Sequence, residues 1–442
     1  MGTYVPSTAA ERDQMLRSLG LPEGEAGYRR LYADVPEGVY RSHDLNLPAG
    51  RSEMEVSAEL ARMASENRIY HTILRGAGAY DHYIPAVVKS IPKKEEFLTA
   101  YTPYQAEINQ GLLQSIFEYQ TMICDLTGMD VANASVYDGA TAAAEAAAMC
   151  RTAKRKVTLV SAAANPEVIS VMRTYCYGAG TELRLVPVKE GRTDLARLEA
   201  MLTDDVAGVY LQQPNFFGLF EDAKEIGELV HQHKAMYIMG CDPIALAIMA
   251  APGECGADIA VGEGQPLGLP LAYGGPYLGY MGTTKKNMRK LPGRIVGETT
   301  DHEGRRAYVL SLQTREQHIR REKASSNICS NEALCALTAS VYMAYMGPSG
   351  MREAAAQSMA KAHYLAGKLT EIPGVTLRYS GDYFNEFLTD MPRPGAVLAA
   401  LDDAGILGGL PVDKGILWCA TEKVSKAAMD QTTMIVKEVL GE

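Results

Sequence analysis

Apolar and polar positions along the middle of the chain predict strands that alternate with helices. Five short apolar runs have the composition of buried strands, and the segments between them, such as "TDLARLEAMLTD" and "DAKEIGELVHQHK", have helical periodicity. This alternation predicts a mostly parallel sheet covered on both faces, with ligands bound at the carboxyl ends of its strands. The predicted strands are 156–163, 182–188, 206–213, 236–242 and 257–264.

The pattern differs on either side of this region. Residues up to about 68 show helical segments without a strand rhythm. After about residue 330, two long helical stretches (332–346 and 351–371) precede further strand-like runs and a last helix. The overall prediction is an α/β protein of three parts. They are a helical N-terminal arm (1–68), a large α/β domain (69–330) and a smaller C-terminal α+β domain (331–442).

Composition and charge exclude several classes of function. The formal net charge is −10 and the basic residues are scattered, so neither nucleic acid nor an anionic membrane is an expected partner. No apolar run approaches the roughly 20 residues that span a bilayer, and the N-terminus lacks a signal-peptide core. The 8 cysteines show no metal-site spacing. We therefore expect a cytoplasmic protein with buried thiols and no metal centre.

The layout of the predicted sheet suits a pyridoxal phosphate enzyme better than a nucleotide enzyme. No complete G-x-G-x-x-G follows a strand, and a Walker A loop is absent. Gly139 and Thr141 open an alanine-rich helix whose start could hold a phosphate, although a tight helix–sheet contact needs the same small residues. Asp242 ends an apolar strand, where it could face a pyridine nitrogen or simply cap the turn before Pro243.

The lysine that would bind such a cofactor is missing. Gly264-Gln265-Pro266 stands where the lysine is expected, and no lysine occurs from Asp242 through Tyr280. Lys285 and Lys286 follow in "TKKNMRKLPGR", which is more typical of a solvated surface helix.

Two polar segments are further candidates for chemistry. "LTAYTPYQAEINQG" (98–111) is rich in hydrogen-bonding groups without being simply charged, which suits a ligand or a partner subunit. "SLQTREQHIRREKASSNICSN" (311–331) could clamp a carboxylate or phosphate through Arg315, Arg320 and Asn327. An exposed helix with ion pairs explains the second segment equally well.

Long stretches of the chain closely resemble the glycine-cleavage P-protein family, the pyridoxal-phosphate-dependent glycine decarboxylases. The first runs from "TAYTPYQAEINQGLLQSIFEYQ" through "DLTGMDVANASVYDGATAAAEA". The second comprises "GLPLAYGGPYLGYM", "LPGRIVGET" and "LQTREQHIRREKASSNICSNEAL". The match extends essentially end to end, and the length resembles that of the separate first subunit of the two-chain form.

The resemblance implies an aminotransferase-like fold (pyridoxal phosphate fold type I) and a subunit without the cofactor lysine, whose place Gln265 takes. The second subunit then binds pyridoxal phosphate covalently, and an αβ heterodimer doubled into a heterotetramer is expected. Together the subunits decarboxylate glycine, release CO₂ and pass the aminomethyl group to the lipoyl arm of H-protein. Gly139, Thr141 and Asp242 become candidates for a vestigial site.

Residues of the first polar segment are our candidates for the partner's active site. They are Tyr101, Thr102, Tyr104, Gln105 and Glu107. Two alternatives remain. The chain could be a purely structural or regulatory pseudoenzyme, or a stand-alone transaminase or lyase that uses Lys285 or Lys286.

Overall fold

The structure is a computed structural model, and it describes residues 6–41, 45–98, 102–324, 326–328 and 331–441. The chain divides into two compact units, Met1–Ile69 and Tyr70–Glu442. The further division predicted at residue 330, and the assignment of the first unit as an arm, remain predictions. None of the helices in these ranges is long and apolar enough to cross a membrane.

The first unit is helical. Its helices are Ala9–Ser18, Glu25–Leu31 and Glu53–Ser65. Thr8 and Glu11 form a reciprocal capping box, which satisfies amide groups at the start of the first helix. Ser52 and Glu55 do the same for the third helix.

A seven-stranded sheet forms the centre of the second unit, and each of the five predicted strands is present in it. In chain order its strands are β1 (Val131–Ala132), β2 (Val157–Ser161), β3 (Glu182–Val186), β4 (Val206–Gln213), β5 (Met236–Cys241), β6 (Ile259–Glu263) and β7 (Gly279–Thr283). The spatial order is β1-β7-β6-β5-β4-β2-β3. Only the pairs that involve β7 are antiparallel, so the mixed α/β fold with a mostly parallel sheet is confirmed.

Helices cover both faces of this sheet, which explains why its strands are continuous apolar runs. The alanine-rich helix Gly139–Cys150 packs against one face, where Ala143 and Ala147 are buried. The small alanine side chains let the helix approach the sheet closely. On the other face, Ile226 and Val230 of helix Ala223–Gln232 enter a second core cluster. Helices Gln110–Thr127, Pro166–Gly178 and Leu195–Met201 complete this region, with short helices at Ala86–Ser90 and Glu95–Leu98.

A hairpin and a small sheet follow the large sheet. The hairpin pairs β8 (Ile295–Thr300) with β9 (Arg306–Ser311). The antiparallel small sheet contains β10 (Thr376–Leu377), β11 (Glu386–Asp390), β12 (Leu410–Val412) and β13 (Gly415–Cys419), in the order β10-β11-β13-β12. Helices Pro394–Asp403 and Lys426–Leu440 accompany it around the buried Trp418.

Two long helices are present where the sequence predicts them, whereas one other helix prediction needs adjustment. The helices expected at 332–346 and 351–371 lie within Ala333–Thr370, which is interrupted at Gly347, where the backbone is not helical (φ 59°, ψ 179°). The predicted surface helix around Lys285 is a short 3₁₀ helix, Lys285–Lys290. Pro292 follows it closely, and a proline there leaves little room for a regular α-helix.

Candidate functional site

A cavity of about 360 Å³ lies at the carboxyl ends of β4, β5 and β6. This is the edge at which mostly parallel sheets bind ligands. Acidic side chains are frequent in its wall, and among its described lining residues there is no Lys, Arg or His. The acidic lining residues are Asp138, Glu167, Asp242, Glu263 and Glu386.

Asp242 follows β5 directly, as expected, and its side chain caps the next turn. Its Oδ1 accepts hydrogen bonds from the amides of Ile244 and Ala245, both at 2.8 Å. Burial raises the pKa of Asp242, and nearby His82 acts in the opposite direction. The capping role is therefore present in the structure, while a role toward a pyridine ring remains a prediction.

Gln265, at the position of the missing lysine, is a buried structural link. Its Oε1 accepts from the amide of Tyr80 at 2.8 Å, and its Nε2 donates to the carbonyls of Tyr80 (2.9 Å) and Leu269 (2.8 Å). With 1% of its surface exposed, the side chain is bonded at both ends and offers no nucleophile.

The start of the alanine-rich helix faces the cavity, and carboxylates already bind it. Gly139 donates its amide to Glu263 Oε2 at 2.9 Å. The amide of Thr141 donates to Asp138 Oδ1 at 2.7 Å, which makes Asp138 the N-cap. Gly139 and Thr141 therefore lie where the sequence predicts a phosphate cradle, but two of the first three amides bind the protein's own acids.

Sequence reasoning missed Glu263 and Glu386. Burial raises the pKa of each to about 7. The carboxylate of Glu386 accepts from the amide of Ala77 at 2.6 Å and from the hydroxyl of Tyr80 at 2.8 Å. A charged residue inside an apolar strand pattern, as in "YFNEFLTDM" and "ADIAVGEG", was the available signal.

The polar segment 98–111 contributes none of its described residues to this cavity. Tyr101 lies outside the described residues. Asn109 Nδ2 donates to the carbonyl of Thr102 at 2.5 Å, and Tyr104 packs partly buried against a core cluster. Gln105 and Glu107 are exposed. The loop is thus anchored from within, and it presents polar groups at its surface.

Arg294, another residue that sequence reasoning missed, joins the two polar segments. Its guanidinium lies 5.1 Å from the centre of the Tyr104 ring and forms an ion pair with Glu316. The hydroxyl of Tyr104 also donates to Asn331 Oδ1. These contacts connect the two segments, and we call the connected region (102–107, 294, 316 and 331) the Tyr104 surface.

The three candidates for an anion clamp lie outside the lining of the cavity. The guanidinium of Arg315 donates hydrogen bonds to the carbonyls of Leu312 and Gly293, both at 3.0 Å. Burial lowers the pKa of Arg315, and the charge of nearby Glu316 acts in the opposite direction. Arg320 is exposed on the short helix Gln317–Arg320, and Asn327 is exposed after it. The geometry supports a structural role for Arg315.

Other candidates lie away from the cavity. Lys285 and Lys286 are exposed on their 3₁₀ helix and do not line it. Within the described residues, no cluster of His, Cys, Asp and Glu has the arrangement of a metal site.

Comparison with known proteins places this fold first in a class and then in a family. The structure is similar to that of a sphingosine-1-phosphate lyase from Burkholderia pseudomallei, with a TM-score of 0.67 at 12% identity over 90% of this chain and 92% of that one. This likeness concerns the fold alone, and the fold is the type I fold of pyridoxal phosphate enzymes.

A family model described as "Glycine cleavage system P-protein" matches residues 2–435. The "Probable glycine dehydrogenase (decarboxylating) subunit 1" of Moorella thermoacetica is 49% identical over 99% of this chain and 100% of its own length. A crystal structure of glycine decarboxylase (P-protein) in inhibitor-bound form superimposes with a TM-score of 0.92 at 42% identity, covering 99% of this chain and 100% of that chain. The chain belongs to the glycine cleavage system P-protein family.

Pyridoxal phosphate is the group that this fold and family imply, and the cavity of this chain does not fit it. Gln265 provides no amine, and Glu263 and Asp138 bind amides at the helix start. The acidic lining would also repel a phosphate.

Proposed function

We propose that this chain is the non-lysine subunit of a two-subunit glycine decarboxylase. With a second subunit it decarboxylates glycine, releases CO₂ and transfers the aminomethyl group to the lipoyl arm of H-protein. Family membership over essentially the whole chain supports the activity of the complex. Gln265 is buried, and both ends of its side-chain amide are hydrogen-bonded. It supports the assignment of the cofactor to the partner, because this chain offers no amine at that position.

Pyridoxal phosphate, bound covalently by the partner, would supply the electron sink for decarboxylation. The contribution of this chain is then to bind the partner and to complete its site. Enzymes of this fold build their sites between subunits, so residues that one chain no longer needs for its own chemistry can serve the other.

The Tyr104 surface is our candidate for that contribution. Packing, the Arg294 cation and Asn331 fix the position of the Tyr104 ring. Gln105 and Glu107 are exposed beside it. A preorganised surface with hydrogen-bonding groups is what a bound amino acid or a developing charge requires. We assign Thr102, Tyr104, Gln105 and Glu107, together with Tyr101, to the partner's site.

The test uses complexes of altered subunits with an unaltered lysine-bearing partner. We expect Tyr101→Phe, Tyr104→Phe and Gln105→Ala to assemble normally and to keep normal cofactor absorbance. Glycine–bicarbonate exchange with H-protein should fall at least about tenfold for one of them, which corresponds to about 1.4 kcal/mol of barrier. Tyr104→Phe also removes the internal hydrogen bond to Asn331, but the packing of the ring and its contact with Arg294 remain, so we expect the subunit fold to be kept.

Two exposed residues elsewhere provide matched controls. Tyr177→Phe and Gln232→Ala change the same side-chain types, and both positions are exposed. Both control complexes should keep full exchange activity. If all three loop variants also keep it, the loop is structural and the chain is a pseudoenzyme partner. Weaker assembly with normal activity in each complex would assign the loop to the subunit interface.

A further inference from the structure

The start of helix Gly139–Cys150 is a place where an anion is stabilised. Amides at a helix start lack partners within the helix, and the helix dipole favours negative charge there. This helix start borders the cavity through Asp138, Gly139 and Ala140. In an open site of this kind, a bound phosphate would accept hydrogen bonds from the free amides.

Glu263 occupies that position from within the protein. Its Oε2 accepts from the amide of Gly139 at 2.9 Å, and its Oε1 accepts from the amides of Gln265 (2.9 Å) and Leu278 (3.0 Å). The carboxylate therefore receives three backbone hydrogen bonds, as a ligand oxyanion would. Because Glu263 ends β6, the strand itself delivers the group to the helix start.

Close packing fixes the carboxylate in this arrangement. A Cβ atom at position 139 would lie 2.7 Å from the backbone nitrogen of Glu263 and 2.9 Å from its Cα. Only glycine permits the end of β6 to approach the helix so closely. The side chain of Glu263 thus has little freedom to leave the amides and admit a ligand.

The negative charge of the surrounding cavity wall also disfavours the binding of a phosphate. The cavity is lined by Asp138, Asp242 and Glu386 as well as Glu263, and by no basic residue among those described. A phosphate would meet several acids at close range without a counter-ion. Burial raises the pKa of Glu263 to about 7, although the hydrogen bonds from the three amides act in the opposite direction.

We propose that Glu263 is a built-in anion that replaces a phosphate at this helix start. It stabilises the fold of the chain without a ligand, and it excludes phosphate monoesters from the cavity. This inference goes beyond the proposed function, because it concerns the internal stability and ligand selectivity of this chain and not its role in the partner's site.

The test asks whether inorganic phosphate restores the stability of a Glu263 variant. Stability is measured by thermal unfolding of the full chain at pH 8. Glu263→Ala should lower the melting temperature by about 2–4 °C in chloride, because it leaves buried amides without an acceptor. Phosphate at equal ionic strength should restore much of this loss as its concentration rises, since it binds only the folded state. The wild-type chain should gain only the small general stabilisation that phosphate gives to folded proteins, much less than the alanine variant gains.

Glu263→Gln is the matched control, because it fills the same space but replaces one acceptor oxygen by an NH₂ group that faces a backbone N–H donor. It should be destabilised at pH 8 and should not be rescued by phosphate. A glutamine variant as stable as wild type would overturn the proposal, since a carboxylate with two acceptor oxygens would then be dispensable at this helix start.

Three further outcomes would also overturn the proposal. In the first, phosphate stabilises the wild-type chain as much as it stabilises Glu263→Ala. In the second, phosphate does not rescue the alanine variant. In the third, the wild-type chain broadens the ³¹P resonance of phosphate, which would show that phosphate binds to it. If Glu263→Ala does not fold in either buffer, the ³¹P measurement on the wild-type chain still shows whether phosphate binds to it and so still tests the proposal.

Discussion

Glu386 is a buried acid whose side chain is held in place by two hydrogen-bond donors. It accepts from the amide of Ala77 and the hydroxyl of Tyr80, and the charge of Asp242 adds to the effect of burial in raising its pKa to about 7. The ordinary glutamate value is 4.5. The unfolded chain therefore releases this proton at lower pH than the folded chain, so this group contributes stability below about pH 4.5 that is lost as the pH rises through about 7.

Replacement of Glu386 by glutamine tests that sign. Glu386→Gln keeps the shape, and its amide can bond both neighbours with the Tyr80 hydroxyl as acceptor. The free energy of unfolding of wild type relative to Glu386→Gln should fall by about 3 kcal/mol between pH 4.5 and 7.5, at 1.36 kcal/mol per pKa unit. Urea unfolding across this range measures the difference, in which titrating groups that do not interact with Glu386 cancel. A difference that stays flat, or that rises with pH, contradicts a raised pKa.

The sequence was informative about individual residues only where chain position alone determines the neighbours. Asp242 was placed correctly because a residue after an apolar strand lies at the carboxyl edge of the sheet. The partners of Glu263 come from 139, 265 and 278, and those of Glu386 from 77 and 80. Gln265 lies two residues from Glu263, but contacts such as those with 139 and 77 join residues far apart in the chain and depend on tertiary packing, which periodicity does not encode.

At the scale of elements, the close approach of helix Gly139–Cys150 to the end of β6 is the contact that defines the cavity edge. Gly139→Ala would place a methyl group within 2.9 Å of the Glu263 backbone. Since neither the strand nor the helix can move freely in the core, we expect a loss of about 1–3 kcal/mol in unfolding free energy.

Gly367→Ala is the matched control for that change. Gly367 lies in helix Ala333–Thr370, and a Cβ there would meet nothing within 4 Å. Alanine is the better helix former by about 0.5–1 kcal/mol, so the control should be slightly stabilised. Urea unfolding of both variants checks the pair. Equal effects at the two positions would mean that the helix–strand contact is looser than the structure indicates.

The strands of the parallel core were predictable, whereas β7 and the hairpin β8–β9 were missed. The five predicted strands are short apolar runs buried on both faces, which gives them a distinct pattern. In contrast, β7 contains two glycines within "GYMGT", and the outer part of β8 is exposed and polar, as in "ETT". Neither β7 nor β8 has the continuous apolar run by which the core strands were recognised, whereas β9 contains the apolar run "AYVL" and was still missed.

At the scale of the whole molecule, the proposed role requires a partner. Helix Glu53–Ser65 in the first unit has no buried residue, and several of its exposed side chains are apolar. They are Met54, Val56, Leu60 and Met63. Such side chains suit an obligate interface, which commonly buries about 2,000 Å² or more. The expectation that the arm clasps the second subunit, and that the heterodimer doubles, remains a prediction.

The central claim is that the complex binds its cofactor on the partner and not on this chain. Borohydride reduction of the reconstituted complex with pyridoxal phosphate, followed by peptide mapping of both subunits, tests it most directly. We predict stoichiometric label on a lysine of the partner, and at most scattered, low-yield label on surface lysines of this chain. Stoichiometric label on this chain, for instance at Lys285 or Lys286, would contradict the account.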